Sequence, residues 1–134
     1  MDFIFKLHSE MRWLIIALAA ITLIKLLISL FSKRALDKTD NILVRTYGIV
    51  LALQLILGLM QIVIRWSDYA GEALRHRLEH AFIMLIAVAI VHSSRRFRDK
   101  LPPIAIRNTT LMIAASIIML ALGIWILPEA RALF

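Results

Sequence analysis

The sequence predicts an all-α fold, an integral membrane four-helix bundle wound up-down-up-down with both termini outside. Three observations predict it. The 134-residue chain is 61% apolar with a mean hydropathy of +0.83, whereas a soluble domain is usually about half apolar at most. The apolar residues gather into four long runs joined by short polar connections. Lys and Arg then fall unevenly on the two sides those runs define.

The first run, Trp13–Phe31, follows an amphipathic lead-in over Asp2–Arg12, so a helix is expected over about 3–31. It is long for a cleavable signal peptide and is expected to remain as a span. Trp13 suits the aromatic belt, and Lys25 is placed to snorkel toward headgroups. The second run, Ile42–Ile64, opens after "DKTDN", where Thr39, Asp40 and Asn41 are candidate N-caps, and a helix is expected over about 42–66. The third run, Leu78–Val91, is short of the ~20 residues a span needs. It reaches that length only as a helix over about 72–97 that carries His76, His80 and His92. "LPP" at Leu101–Pro103 breaks the chain, and a fourth helix is expected over about 104–127, stopped by Pro128. Short connections make sequential helices antiparallel neighbours, so residues 1–134 read as one domain.

Charge orients the bundle. The side holding the loops 32–41 and 92–103 carries ten basic against three acidic residues, net +7. The side holding both termini and the loop 65–77 carries six of each. The +7 side is expected to be cytoplasmic and to contact anionic lipid. The basic balance is thus a topology signal, and no nucleic-acid partner is expected. With no cysteine, disulfides, thiolate-bound iron–sulfur clusters and Cys-attached haem are excluded. "HRLEH" is not the H-E-x-x-H zinc signature, because Glu79 directly precedes the second histidine. No phosphate-binding loop, dinucleotide fingerprint or nucleophile elbow is present.

The histidines carry the chemistry. His8 lies toward the outer end of the first helix, and His76 and His80 toward the outer end of the third. His92 lies twelve residues beyond His80, about 18 Å along the axis and about 120° around it, so the two cannot share a ligand. His8 and His80 share a depth on helices that stand diagonally in a sequentially wound bundle. Two imidazoles facing across a bundle core are the usual way to hold a b-type haem, so His8 and His80 are the candidate iron ligands. His76, one turn from His80, is an alternative ligand, a proton relay or a solvated residue. His92 has no histidine partner at its level. Met112 is at a matching depth, but a role at the headgroup boundary or toward quinone is expected there instead of a second haem.

Gln54, Gly58, Gln61 and Arg65 fall on one face of the second helix. Gly58 opens a gap there, either for a flat macrocycle or for close helix packing. Gln54 and Gln61 turn inward, either to the cofactor or to hydrogen bonds with neighbouring helices. Arg12, four residues from His8, is a candidate partner for a haem propionate, as are Arg65, Arg75 and Arg77. The alternative for these arginines is pairing with Glu10, Asp68, Glu72 and Glu79. Glu10 and Glu79 are also candidate acceptors for the second ring nitrogens of the histidines.

"LHSEMRWL" (Leu7–Leu14), "LQLILGLMQ" (Leu53–Gln61) and "EHAFIMLIAVAIVH" (Glu79–His92) resemble a family of small bacterial four-helix membrane proteins labelled cytochrome b. Their bundle is similar to one half of haem A synthase. The resemblance implies that His8, His80 and His92 are the family's histidines. It also implies haem binding or electron transfer in the bacterial cytoplasmic membrane, and a homodimer or a place in a larger complex. The family often has proline after "EH"; here the residue is Ala81. The expectation is one haem b near the outer face, with electrons exchanged with quinol or other respiratory redox subunits. The alternatives are a haem-free accessory subunit of a respiratory or photosynthetic complex, and an enzyme acting on haem or quinone.

Overall fold

Neither glycine nor proline occurs before Gly48, so nothing in the first run interrupts a helix. In the computed structural model, which describes residues 2–132, α1 accordingly runs without a break over Asp2–Phe31. It is closed by a Schellman turn. Lys33 takes φ 55°, and Lys33 N–H and Arg34 N–H reach back to the carbonyls of Leu30 (3.1 Å) and Ser29 (2.9 Å).

Helix α2 (Lys38–Ile64) begins four residues before the expected 42. The reason is a capping box whose N-cap precedes the expected candidates. Asp37 is the N-cap, its carboxylate accepts from Asp40 N–H at 2.8 Å, and Asp40 in return accepts from Asp37 N–H at 3.0 Å. Thr39, Asp40 and Asn41, the expected caps, therefore lie inside the first turn. The Asp40 N–H, and after it the Lys25 ammonium, hold the Asp37 carboxyl below its ordinary pKa. A short 3-10 turn, Trp66–Asp68, and Gly71 at φ 57° lead into α3 (Glu72–Ser93). The third helix stops four residues short of the expected 97, because Ser94–Phe97 tightens into a 3-10 turn. Helix α4 (Pro102–Ile126) starts on the prolines that were expected to precede it. Proline suits the first helical turn, where the missing N–H would have had no partner. A single turn, α5 (Pro128–Arg131), follows.

The described residues are all-α. Helix α1 packs against α2 and α4, and α3 packs against α2 and α4, which leaves α1 and α3 on a diagonal. Helices α1, α2 and α4 contain stretches long and apolar enough to cross a membrane. Helix α3 is not among them, since Glu72, Arg75, Arg77 and Glu79 occupy its first two turns.

The interior is apolar around Leu26, Tyr47, Leu51, Ala87 and Ile113, but the exterior is apolar too, and several polar side chains lie inside. Ile21, Ile24, Ile28, Ile56, Val63, Phe82, Leu111 and Ile118 are exposed, while Thr22, Ser29, Asp40, Gln54, Thr109, Thr110 and Ser116 are buried. An apolar exterior this continuous suits hydrocarbon rather than water. Inside, polar contacts join the helices. Tyr47 Oη and Ser116 Oγ are 3.1 Å apart, both fully buried. Lys25, expected to reach toward headgroups, has protein partners for its ammonium. Its ammonium donates to Ser29 Oγ (3.0 Å), Asp37 (3.0 Å) and the fully buried Asp40 (2.8 Å). This knot fastens α1 to the start of α2.

Candidate functional site

A cleft of about 820 Å³, counting its open mouth, lies at the opposite end of α1 and α2 from the Lys25 knot. His8 and Arg12 enter it from α1, and Gln54, Gly58 and Gln61 from α2. Arg77 and His80 enter from α3. Ile15, Leu55, Ile62, Met84, Leu120 and Ile124 supply apolar walls. The two histidines from diagonal helices thus face one space.

The structure separates the arginine candidates. Arg12 and Arg77 line the cleft; Arg65 and Arg75 do not. Arg65 stacks on Phe5 at 3.8 Å, and Arg75 pairs with Glu79 at 3.4 Å on the surface. Arg77 lies 4.1 Å over the ring of Tyr69, which also lines the cleft. His76 lies in a separate surface pocket with Glu72, Ala73 and Pro128.

The acceptor for His80 is not a glutamate. Its Nδ1 lies 2.7 Å from the carbonyl oxygen of Gly123 on α4. A carbonyl can only accept, so Nδ1 carries the proton and the neutral ring keeps its lone pair on Nε2. This is the tautomer a metal-ligating imidazole needs, with its other nitrogen already held. Gly123 permits the approach, since a Cβ there would lie 3.4 Å from His80 Nδ1 and 3.0 Å from Met84 Sδ. Sequence reasoning missed Gly123. The available signal was the one glycine of the fourth helix, in its last third.

Of the two parts expected of Gly58, the close approach of a neighbouring helix is the one seen. The glycine's missing side chain is taken up by His8, whose Cε1 would lie 3.2 Å from a Cβ at that position. The gap on α2 therefore seats the imidazole, and the space beside it remains open to the cleft. Gln54 Nε2 donates to the backbone carbonyl of His8 at 2.8 Å and fixes this turn of α1 against α2.

Four buried polar atoms around the cleft have no hydrogen-bond partner: His8 Nδ1, Arg12 Nε, Gln54 Oε1 and Gln61 Nε2. Each such atom costs about 1–3 kcal/mol when left unsatisfied. Atoms of this kind are completed by ordered water or by a polar ligand, and all four belong to residues that line the cleft. No group of three or more His, Asp or Glu suited to a bare metal ion occurs among the described residues; a haem iron needs only two protein ligands. His92 is elsewhere, with Nδ1 donating to Val88 O in its own helix at 2.9 Å, and Met112 does not line its pocket.

No protein-family model matches the chain, and no curated protein or solved structure is detectably similar to it.

Proposed function

We propose that this protein is a b-type haem-binding subunit of the bacterial cytoplasmic membrane that passes electrons between quinol or a neighbouring redox subunit and its haem. The observation that carries the reading is the single cleft shared by His8 and His80 from diagonal helices. The residues fit the group. His80 is held by Gly123 in the ligating tautomer, His8 rests against Gly58, and Arg12 and Arg77 are cations suited to propionates. Bound haem b would supply one-electron chemistry at iron. The chain's own part is to hold two neutral imidazoles, exclude water with Ile15, Met84, Leu120 and Ile124, and balance the carboxylates. The Gly123 hydrogen bond makes His80 a more basic ligand, which favours the oxidised iron and lowers the potential.

The same reading places four spans up-down-up-down with both termini outside. It is supported by the facing of residue 8 with 54, 25 with 40, 48 with 92 and 80 with 123. The charge of the 32–41 and 92–103 loops supports it too. Exposed Trp13, Trp66 and Trp125 suit the outer interface.

The test is a reduced-minus-oxidised spectrum of the purified protein, with the variants His8→Ala and His80→Ala. The wild type is expected to show a low-spin haem b signal that each variant loses while remaining helical by circular dichroism. A featureless wild-type spectrum, or a low-spin signal that survives both substitutions, overturns the proposal. The featureless result would leave a haem-free accessory subunit as the better description.

A further inference from the structure

A second, shallower cleft, about 230 Å³ counting its open mouth, lies between α2 and the end of α3, at the arginine-rich end of the molecule. Arg45 lines it from α2, and Arg95 and Arg98 from the turn after α3, around Gly48, Val91 and His92. Gly48 lets the helices close, for a Cβ there would lie 3.0 Å from Val91 Cγ1 and 3.6 Å from His92 Cε1. No acidic residue lines this cleft, and none of the three arginines is in a salt bridge among the described residues. Three guanidiniums from two elements thus converge on one concavity without a protein counter-charge. The Lys25 knot uses the nearby carboxylates of Asp37 and Asp40 and withholds them from Arg45.

Guanidinium forks match phosphate oxygens in geometry and charge. The flanks of the cleft narrow the choice of ligand. Ile42 and Ile49 are three residues before and four after Arg45, so they share its face, and both are about half exposed. Leu53, one further turn along, is also about half exposed. An apolar lane therefore runs up α2 from the arginine cluster. We propose that this cleft binds the phosphate of an anionic phospholipid, with its acyl chains lying along Ile49 and Leu53. The site is independent of the haem reading. Basic pockets between transmembrane helices on the positively charged side are where such headgroups are held.

The test is native mass spectrometry of the detergent-purified protein titrated with phosphatidylglycerol and, separately, with phosphatidylcholine. The wild type is expected to bind phosphatidylglycerol at least about tenfold more tightly. The triple variant R45Q/R95Q/R98Q is expected to lose that preference. A charge-matched control, R34Q/K38Q/K100Q, removes exposed cations outside the cleft and is expected to keep it. Circular dichroism establishes that both variants are folded. A preference that survives in R45Q/R95Q/R98Q, or that falls equally in the control, overturns the site. Displacement of the lipid by millimolar inorganic phosphate would assign the cleft to a soluble phosphate and overturn the lipid assignment.

Discussion

The Gly58→Ala substitution separates the needs of the helix from those of the site. In the middle of α2 alanine is the better helix former by about 0.5–1 kcal/mol. A methyl at that position would, however, lie 3.2 Å from His8 Cε1 and 3.8 Å from His8 Nδ1. Carbon atoms in contact sit about 3.5–4.0 Å apart, so the imidazole must retreat by about 0.3–0.8 Å. Without ligand it can do so at little cost, because its Nδ1 has no hydrogen bond to break. With haem bound the ring is fixed at iron, and the displacement is resisted. Overpacking a fixed site costs about 1–3 kcal/mol, which corresponds to about 5- to 150-fold weaker haem binding. The expected result is therefore a pair of opposite effects. The haem-free variant unfolds at the same or a higher temperature than the wild type, and its affinity for haem is lower. Haem titration of the apoprotein followed at the Soret band measures the second, and a thermal melt by circular dichroism measures the first. A variant that binds haem within about twofold of wild type would refute the placement of His8 against α2 as the seat of a ligand.

Two further outcomes follow from the rest of the fold. Lys25→Met should cost about 1–3 kcal/mol in a detergent unfolding titration, because the fully buried Asp40 carboxylate loses its cation and keeps only its bonds from Ser29 and the Asp37 N–H. The double variant Lys25→Met/Asp40→Asn should recover a good part of that loss, and a Lys25→Met loss under about 0.5 kcal/mol would mean that Asp40 is not buried against Lys25 as described. Lys33→Gly should stabilise the protein by about 0.5–1 kcal/mol in the same titration, since Lys33 holds φ 55° at the end of α1; a loss of stability would contradict that backbone conformation.

The four helices were legible because apolar runs of this length have few alternatives. Their ends were less so. The start of α2 was misplaced because Asp37, Thr39, Asp40 and Asn41 are all competent caps, and only the reciprocal bonds between Asp37 and Asp40 select one. The end of α3 was overextended because "SSRRF" does not forbid a helix in composition. Of the residues the sequence singled out, His8, Arg12, Gly58, Gln61 and His80 line one cleft, and His76 does not. What sequence could not supply was the distribution of partners. Whether Arg65 or Arg77 turns inward depends on which aromatic ring, Phe5 or Tyr69, each one meets. That a backbone carbonyl at Gly123 would serve His80 in place of a glutamate depends on how closely α4 approaches α3.

The charged opening of α3 bears on how the protein is made. Helices α1 and α2 are each apolar enough to leave a translocation channel for lipid unaided, and they are tied at both extremities, by Lys25 to Asp40 and by Gln54 to the His8 carbonyl. That hairpin can settle first. The third segment would enter an already occupied bilayer carrying Arg75, Arg77 and Glu79, and partitions well only once neighbours shelter it. Under the proposed four-span arrangement α3 would be the step most exposed to failure, and α4, which packs against it, would be its shelter.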